Sequence, residues 1–334
     1  MRVGWRTAVA IGCALGAAVL WGVDLARWQP VLEFGIGQNN TYWARDLRFS
    51  AIVAIVLAVL LAGRGTRLSR WAGPAVGIGW IGADLAIDRA GIEGGGVAVA
   101  LAAAGAAVAV AAAVLVSRRA EGEPGRRTLT VSAAIAAALT PLVAGIESPT
   151  DTEAALTPAA VSLGAVLATL TVALALTTAP RRAYAVAVVV GFVAVVGLVL
   201  CRVLDPGNRL APMMLLGTAL LAGVALLTGD LPRGALEVLR HLPKLLVLLV
   251  LYPAVVLFMV LATAYLVPVP AWLTALSGNA PVNAADSDTL YALVGVATGY
   301  VIGWLLLAID RAFVPPPVPA EEPPSRVSAG HALD

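Results

Sequence analysis

Ten stretches of this chain are almost wholly apolar, and each is close to the length of a membrane-crossing helix. They cover residues 7–25, 49–63, 71–88, 97–116, 128–146, 158–179, 184–201, 211–228, 245–266 and 290–309. The second stretch is short, and we expect its helix to begin in the interface near Trp43. A bilayer core is about 30 Å thick, so a spanning helix needs about 20 apolar residues. Lipid cannot satisfy free backbone groups, and the stretches are too long and uniform for barrel strands. The sequence therefore predicts an all-α fold, a polytopic membrane bundle of about ten transmembrane helices.

The composition agrees with a chain whose solvent is lipid. Of the 334 residues, 60% are hydrophobic and 13% are charged, whereas soluble domains carry about 25% charged residues. The charges lie near helix ends and form no basic face, so the expected partner is the lipid bilayer and not nucleic acid. The chain is rich in Arg and Ala and has a single lysine, Lys244. That bias is typical of GC-rich bacterial genomes, so the predicted location is a bacterial cytoplasmic membrane, crossed many times.

The positive charges predict the orientation. With the N-terminus in the cytoplasm, 16 of the 22 Lys and Arg residues fall in cytoplasmic segments. The positive-inside rule selects this arrangement, and an even number of spans places the C-terminus inside as well. Residues 26–48 and 267–289 are then outside. We expect one bundle over residues 1–310 and a disordered, Pro-rich cytoplasmic tail over residues 311–334.

Charged residues gather at the predicted outer ends of the first three spans. They are Asp24, Arg45, Asp46, Arg48, Asp84, Asp88 and Arg89. A carboxylate inside an apolar span costs about 2.5–3.5 kcal/mol to insert, so Asp84 requires a partner. Arg45 and Arg48 are the expected partners, with Arg89 as a third. This cluster predicts a polar vestibule at the outer mouth of the bundle. The alternative is an interfacial anchor, in which Arg45 and Arg48 reach lipid phosphates.

Glycines spaced four residues apart predict faces on which helices pack closely, because small residues let backbones approach. They are Gly12, Gly16, Gly73, Gly77, Gly295, Gly299 and Gly303. On a helix, Gly73 and Gly77 share one face with Trp80, Asp84 and Asp88, within an arc of about 80°.

The sequence contains no pattern that indicates an enzyme. No His, Cys or carboxylate spacing resembles a metal site. The phosphate-binding GxxxxGK[ST] loop, HExxH and GxSxG are all absent from the sequence, so the chain has no such ATP-binding or hydrolase motif. We therefore predict no catalytic residue, no metal and no cofactor.

Two segments resemble a known family. "LWG" at Leu20–Gly22 and "LRFSAIVAIVLAVLLAGRG" at Leu47–Gly65 are similar to the first two helices of the drug/metabolite transporter superfamily. Ten spans with both termini inside also look like that family. The resemblance covers those two spans, and a second copy of the unit is not visible in the sequence. It implies a transporter.

Three functions are compatible with these features. The leading hypothesis is a small-molecule or ion transporter (a permease) without an ATPase of its own. The first alternative is a non-catalytic membrane subunit that assembles with a membrane or ATPase partner through its glycine faces. The second alternative is a membrane-embedded enzyme that acts on a lipid-linked substrate at the outer face.

Overall fold

A computed structural model describes residues 4–28, 41–145, 153–180, 183–229, 235–278 and 290–312. Within these ranges the chain forms eleven α-helices and no strand. The helices are α1 Trp5–Val23, α2 Thr41–Ala62, α3 Arg67–Arg89, α4 Gly95–Arg118, α5 Arg126–Gly145, α6 Glu153–Leu176, α7 Tyr184–Val203, α8 Leu210–Thr228, α9 Ala235–Tyr265, α10 Val269–Ser277 and α11 Tyr291–Ala312. A π-helical turn, Asp24–Trp28, extends α1.

The predicted fold class is confirmed. Eight of the described helices are long and apolar enough to cross a membrane, and the chain is a multi-pass integral membrane protein. The two other long helices, α2 and α3, pack in the same bundle and contain buried charged residues, namely Arg45, Asp46, Arg48 and Asp84. Each of the ten predicted spans overlaps one long helix.

Helix α5 lies at the centre of the bundle. From Leu129 to Gly145, every residue except Ile135 is buried. It packs against α11 and α6 most extensively, then against α8, α2 and α7. Much of α5 is alanine, and small side chains let the surrounding helices approach on all sides.

Three glycines of α11 make its contact with α5. A Cβ atom on Gly299 would overlap the Cα atom of Ile135. A Cβ on Gly295 would lie 2.6 Å from the Leu139 side chain, and one on Gly303 would lie 2.9 Å from the Val131 Cα atom. These distances are too short for any side chain, so the two backbones touch along this face.

The other predicted packing glycines differ among themselves. Gly73 and Gly77 of α3 lie against Val56 and Leu60 of α2. Gly16 of α1 lies against Val166 of α6, whereas Gly12 is exposed and has open space around its Cα atom. Gly12 therefore makes no close helix contact within the described part of this chain.

The observed helix ends can be compared with the predicted ones. Helix α2 begins at Thr41, close to the expected start near Trp43 and eight residues before its apolar stretch. Its charged first turns find partners inside the bundle. The predicted outer segment 267–289 contains an additional short helix, α10. Helix α11 ends at Ala312, and the predicted disordered tail lies outside the described residues from residue 313 onward.

The connections fall at two ends of the bundle. At one end the Gly125 N–H donates to the Arg64 carbonyl over 2.9 Å, and Arg126 donates to the Thr228 carbonyl over 2.6 Å. At the other end, the end of α1, the start of α2, the end of α3, α10 and the start of α11 meet. We call these the inner end and the outer end, following the predicted orientation.

Candidate functional site

A buried ion pair between α2 and α3 lies at the outer end. The Asp84 side chain is fully buried, as is that of Arg48. Asp84 Oδ1 accepts hydrogen bonds from Arg48 Nε at 2.9 Å and from Trp21 Nε1 at 2.8 Å. Asp84 Oδ2 accepts a longer bond from Arg48 Nη2 at 3.4 Å. Of the two arginines expected to pair with Asp84, the partner is therefore Arg48, and α1 joins the pair through Trp21.

The sequence of α3 places Asp84 in this position. Gly73, Gly77, Trp80 and Asp84 are all buried on α3, and their spacing of three or four residues puts them on one helix face. The two glycines bring the α3 backbone close to α2. Asp84, one turn beyond Trp80, is therefore directed at the first turns of α2, where Arg48 lies.

Asp88 extends the ion pair into a network. It lies one helical turn beyond Asp84, and its Oδ2 atom is 3.3 Å from Arg48 Nη2 and 3.9 Å from Arg45 Nη2. Its side chain is 6% exposed, whereas those of Asp84 and Arg48 are 0% exposed. Asp88 therefore lies at the edge of the network nearest to the outer surface. We call Asp84, Arg48, Asp88 and Arg45 the outer network.

Arg45 connects the outer network to α10. Its Nη1 atom donates to Thr274 Oγ1 over 2.8 Å, and its Nη2 atom donates to Ser277 Oγ over 3.4 Å. Thr274 and Ser277 are buried and lie three residues apart on one face of α10. The outer network and its direct partners thus join four helices, α1, α2, α3 and α10.

Asp46 and Arg89 lie beside the outer network and have other partners. Asp46 accepts hydrogen bonds from the backbone N–H groups of Tyr291 at 3.2 Å and Ala292 at 2.9 Å. It thereby caps the N-terminus of α11, where a carboxylate also interacts favourably with the helix dipole. Arg89 is exposed and donates to the Leu276 carbonyl over 3.3 Å. The expectation that Arg89 is a third partner of Asp84 is therefore wrong.

Asp24 is buried near the outer network and makes no ion pair of its own with it. The residue is 2% exposed, and neither carboxylate oxygen has a hydrogen-bond partner among the described residues. Charged groups near it include Arg48 and Asp84. A buried polar group without a partner is unusual in a folded protein, so this position needs a physical explanation.

Sequence reasoning missed three residues around the outer network: Trp21, Thr274 and Ser277. A signal for the α10 pair was present, because two hydroxyl residues three apart in an otherwise apolar segment define a polar helix face. Trp21 carried no such signal, since a tryptophan near the end of a span is ordinary in membrane proteins.

A cavity of about 220 Å³ lies at the inner end, away from the outer network. It is bounded by the end of α8, by residues 243–251 of α9 and by the end of α11. Its lining is apolar apart from Lys244 and backbone groups. The cavity and the charged groups are therefore at opposite ends of the bundle.

The described residues limit the chemistry that this arrangement can perform. Within them, no group of three or more His, Cys, Asp or Glu side chains is placed to hold a metal ion. The outer network consists of guanidinium and carboxylate groups, which can exchange partners and attract ions, and its carboxylates can also bind and release protons. Both free cysteines, Cys13 and Cys201, are buried in the helices α1 and α7.

Comparison of the chain with protein-family models, with curated proteins and with solved structures finds no match.

Proposed function

We propose that this protein is a small-molecule or ion transporter of a bacterial cytoplasmic membrane, with no ATPase of its own and with both termini in the cytoplasm. In this proposal the outer network is an extracellular gate. It closes the bundle when the ion pairs are formed, and it opens the outer end when they separate.

The observation that carries the proposal is the burial of the outer network. Arg48 and Asp84 are fully buried in an otherwise apolar bundle. Charged residues at such depth are costly and usually mark ion or substrate pathways or proton relays. A pair of hydrophobic residues would stabilise the contact between α2 and α3 as well or better, so stability alone is a weak reason for a charged pair here.

The position of α3 supports a gate. Helix α3 packs mainly against α2, with smaller contacts to α10 and α4, and much of its surface is exposed. Its outer half contacts neighbours through the polar side chains of Asp84, Asp88 and Arg89. Apolar side chains, among them Trp80 and Leu85, add to these contacts, so opening would separate both polar and apolar groups. The central helix α5, by contrast, is buried over almost its whole length.

The two alternative functions receive less support. A partner subunit was expected to bind the glycine faces, but Gly295, Gly299 and Gly303 pack against α5 of the same chain. An enzyme acting on a lipid-linked substrate would need a wide apolar cavity at the outer end. The cavity of about 220 Å³ lies at the inner end.

Distance measurements between spin labels test the gate without knowledge of the substrate. Cys13 and Cys201 are first replaced by alanine, and labels are attached at Ala86 of α3 and Val199 of α7. Both positions are exposed and lie near the outer end, and α7 is a fixed reference because it packs against α6 and α8. Labels at Leu68 and Val188, exposed residues nearer the inner end of the same helices, are the matched control.

We expect two populations of outer distances in liposomes, with the longer one enriched by Arg48→Gln, while the inner distances stay unchanged. A single narrow outer distance, unchanged by Arg48→Gln, would contradict a gate. That outcome would favour a rigid, non-catalytic subunit.

A further inference from the structure

Asp24 lies at the point where α1 changes its hydrogen-bonding pattern. The α-helix ends at Val23, and the next five residues, Asp24–Trp28, form a π-helical turn. Such turns are rare and frequently occur at functional sites. Asp24 is three residues beyond Trp21, which holds Asp84 through its indole N–H. One helix of the bundle therefore contains both the donor to Asp84 and a second, separate carboxylate.

The charges around Asp24 do not balance. Asp24, Asp84 and Asp88 are three carboxylates, and Arg45 and Arg48 are the two guanidinium groups that face them. Asp46, at the same end of α2, is bound to the N-terminus of α11. If every group is ionised, the buried cluster carries one negative charge more than its arginines can neutralise.

Within the described residues, no other element packed against α1 supplies the missing charge. Arg27, on the same π-helical turn as Asp24, and Arg89, which donates to the Leu276 carbonyl, are both exposed to solvent. The part of α4 beside Asp24 starts at Gly95 and has no ionisable side chain before Arg118 at the inner end. The described side chains of α6, Thr157–Leu176, include none. Glu93, in the loop before α4, is exposed and is itself acidic.

The hydrogen bonds around Asp24 are also incomplete. Both carboxylate oxygens lack a donor among the described residues, and the Nη1 atom of Arg48 lacks an acceptor. The Nε and Nη2 atoms of Arg48 are directed instead at Asp84 and Asp88. Arg48 therefore bonds two carboxylates, Asp84 and Asp88, and leaves Asp24 without a hydrogen bond from it.

We propose that Asp24 is a proton-binding site whose occupancy controls the outer network. On binding, one carboxylate oxygen of Asp24 forms an O–H bond with a proton from water at the outer end, and the excess negative charge is removed. On release, the proton returns to water and the ionised Asp24 competes with Asp84 and Asp88 for Arg48. The proton thus stabilises the closed network, and its loss loosens α3. This inference rests on the proposed gate and names the coupling ion for it.

A proton fits this place better than a metal cation. A hard metal ion requires several oxygen ligands at once, and Asp84 already accepts from Trp21 and Arg48. The described residues contain no group of three or more His, Cys, Asp or Glu side chains that could hold a metal. The guanidinium of Arg48 would also repel a second fixed cation, whereas a carboxylic acid is neutral and needs no ligand shell.

Infrared difference spectroscopy tests the site directly. Spectra of the full chain in liposomes are recorded while the pH is stepped, with and without ¹³C-labelled aspartate. We expect a C=O stretching band of a carboxylic acid that grows as the pH falls, shifts with the isotope and is lost in Asp24→Asn. Glu93→Gln, which changes an exposed carboxylate, should keep the band. Asp24→Glu should keep a band that no longer shifts with labelled aspartate, so the assignment stands even if the Asn variant does not fold.

The spin-label distances at Ala86 and Val199 then separate the two proposals. We expect the outer distances to depend on pH in the native sequence and to become independent of pH in Asp24→Asn. Two distance populations without any Asp24 band would overturn the proton site and leave the gate intact. A response to sodium in place of pH would also overturn the proton site. A single distance at every pH would overturn the gate itself, and with it the control that Asp24 is proposed to exert.

Discussion

Replacing Asp84 by asparagine tests the energetic role of the outer network. The substitution preserves shape, and the remaining amide oxygen can still accept the Trp21 hydrogen bond, which is 2.8 Å long in the native protein. It removes the negative charge beside Arg48. Arg48 would then keep one ion pair of the native structure, with Asp88 at 3.3 Å.

The size of the effect follows from these contacts. Removing one partner of a buried ion pair costs about 3–5 kcal/mol, because the other charge stays buried without compensation. Asp88 remains as a second partner for Arg48, so we expect the lower end of that range, about 3 kcal/mol. In the double variant Arg48→Gln/Asp84→Asn the buried cation is gone too. The two changes should therefore be non-additive by about 1–3 kcal/mol.

Unfolding in mixed micelles with increasing sodium dodecyl sulfate, followed by circular dichroism, measures these free energies. Glu93→Gln is the matched control, because it neutralises an exposed acid near the same end of the bundle. Two results would contradict this expectation. In the first, Asp84→Asn lowers the free energy of unfolding no more than Glu93→Gln does. In the second, the loss in the double variant equals the sum of the losses in the two single variants.

Helix packing, helix capping and membrane orientation are each tested by substitutions outside the outer network. Gly299→Ala should destabilise the protein by about 1–3 kcal/mol, because the new methyl group overlaps Ile135; Gly12→Ala, at an open position, should have little effect in the same unfolding assay. Asp46→Ala should cost about 0.5–2 kcal/mol, because it removes the cap of α11, and hydrogen exchange should increase at the first turn of that helix. In intact cells lacking the two native cysteines, an impermeant maleimide should label Glu93→Cys and not Glu121→Cys, and the reverse pattern would contradict the predicted orientation.

The fold could be predicted from the sequence because apolar length is the dominant signal of a membrane helix. Each of the ten apolar stretches overlaps a long helix. The start of α2 was predicted near Trp43, close to its observed position at Thr41. The charged residues that follow interrupt the apolar pattern, and their partners come from α3, α10 and α11. The sequence also could not predict α10, since a short helix has too few residues for a clear periodic pattern.

The arrangement of charges was only partly predictable. Helical spacing was enough to put Asp84 and Asp88 on one face and to name the arginines of α2 as partners. Which arginine binds which aspartate depends on helix rotation and packing, which one sequence does not reveal. The absence of a hydrogen-bond partner for Asp24 among the described residues also could not be predicted, since it depends on the direction of the Arg48 side chain.

The proposed gate is tested most directly by asking whether water from the outside reaches the part of α2 that lies inward of the outer network. Ile52 is 3% exposed and lies four residues inward of Arg48, on the same face of α2. In a chain without Cys13 and Cys201, a cysteine is introduced by Ile52→Cys, and the protein is treated from the outside with a charged, impermeant methanethiosulfonate reagent. We expect slow modification in the native network and much faster modification when Asp84→Asn is added, because the gate opens more often. A cysteine that stays unreactive from outside in both variants, although the protein remains folded, would contradict the gate.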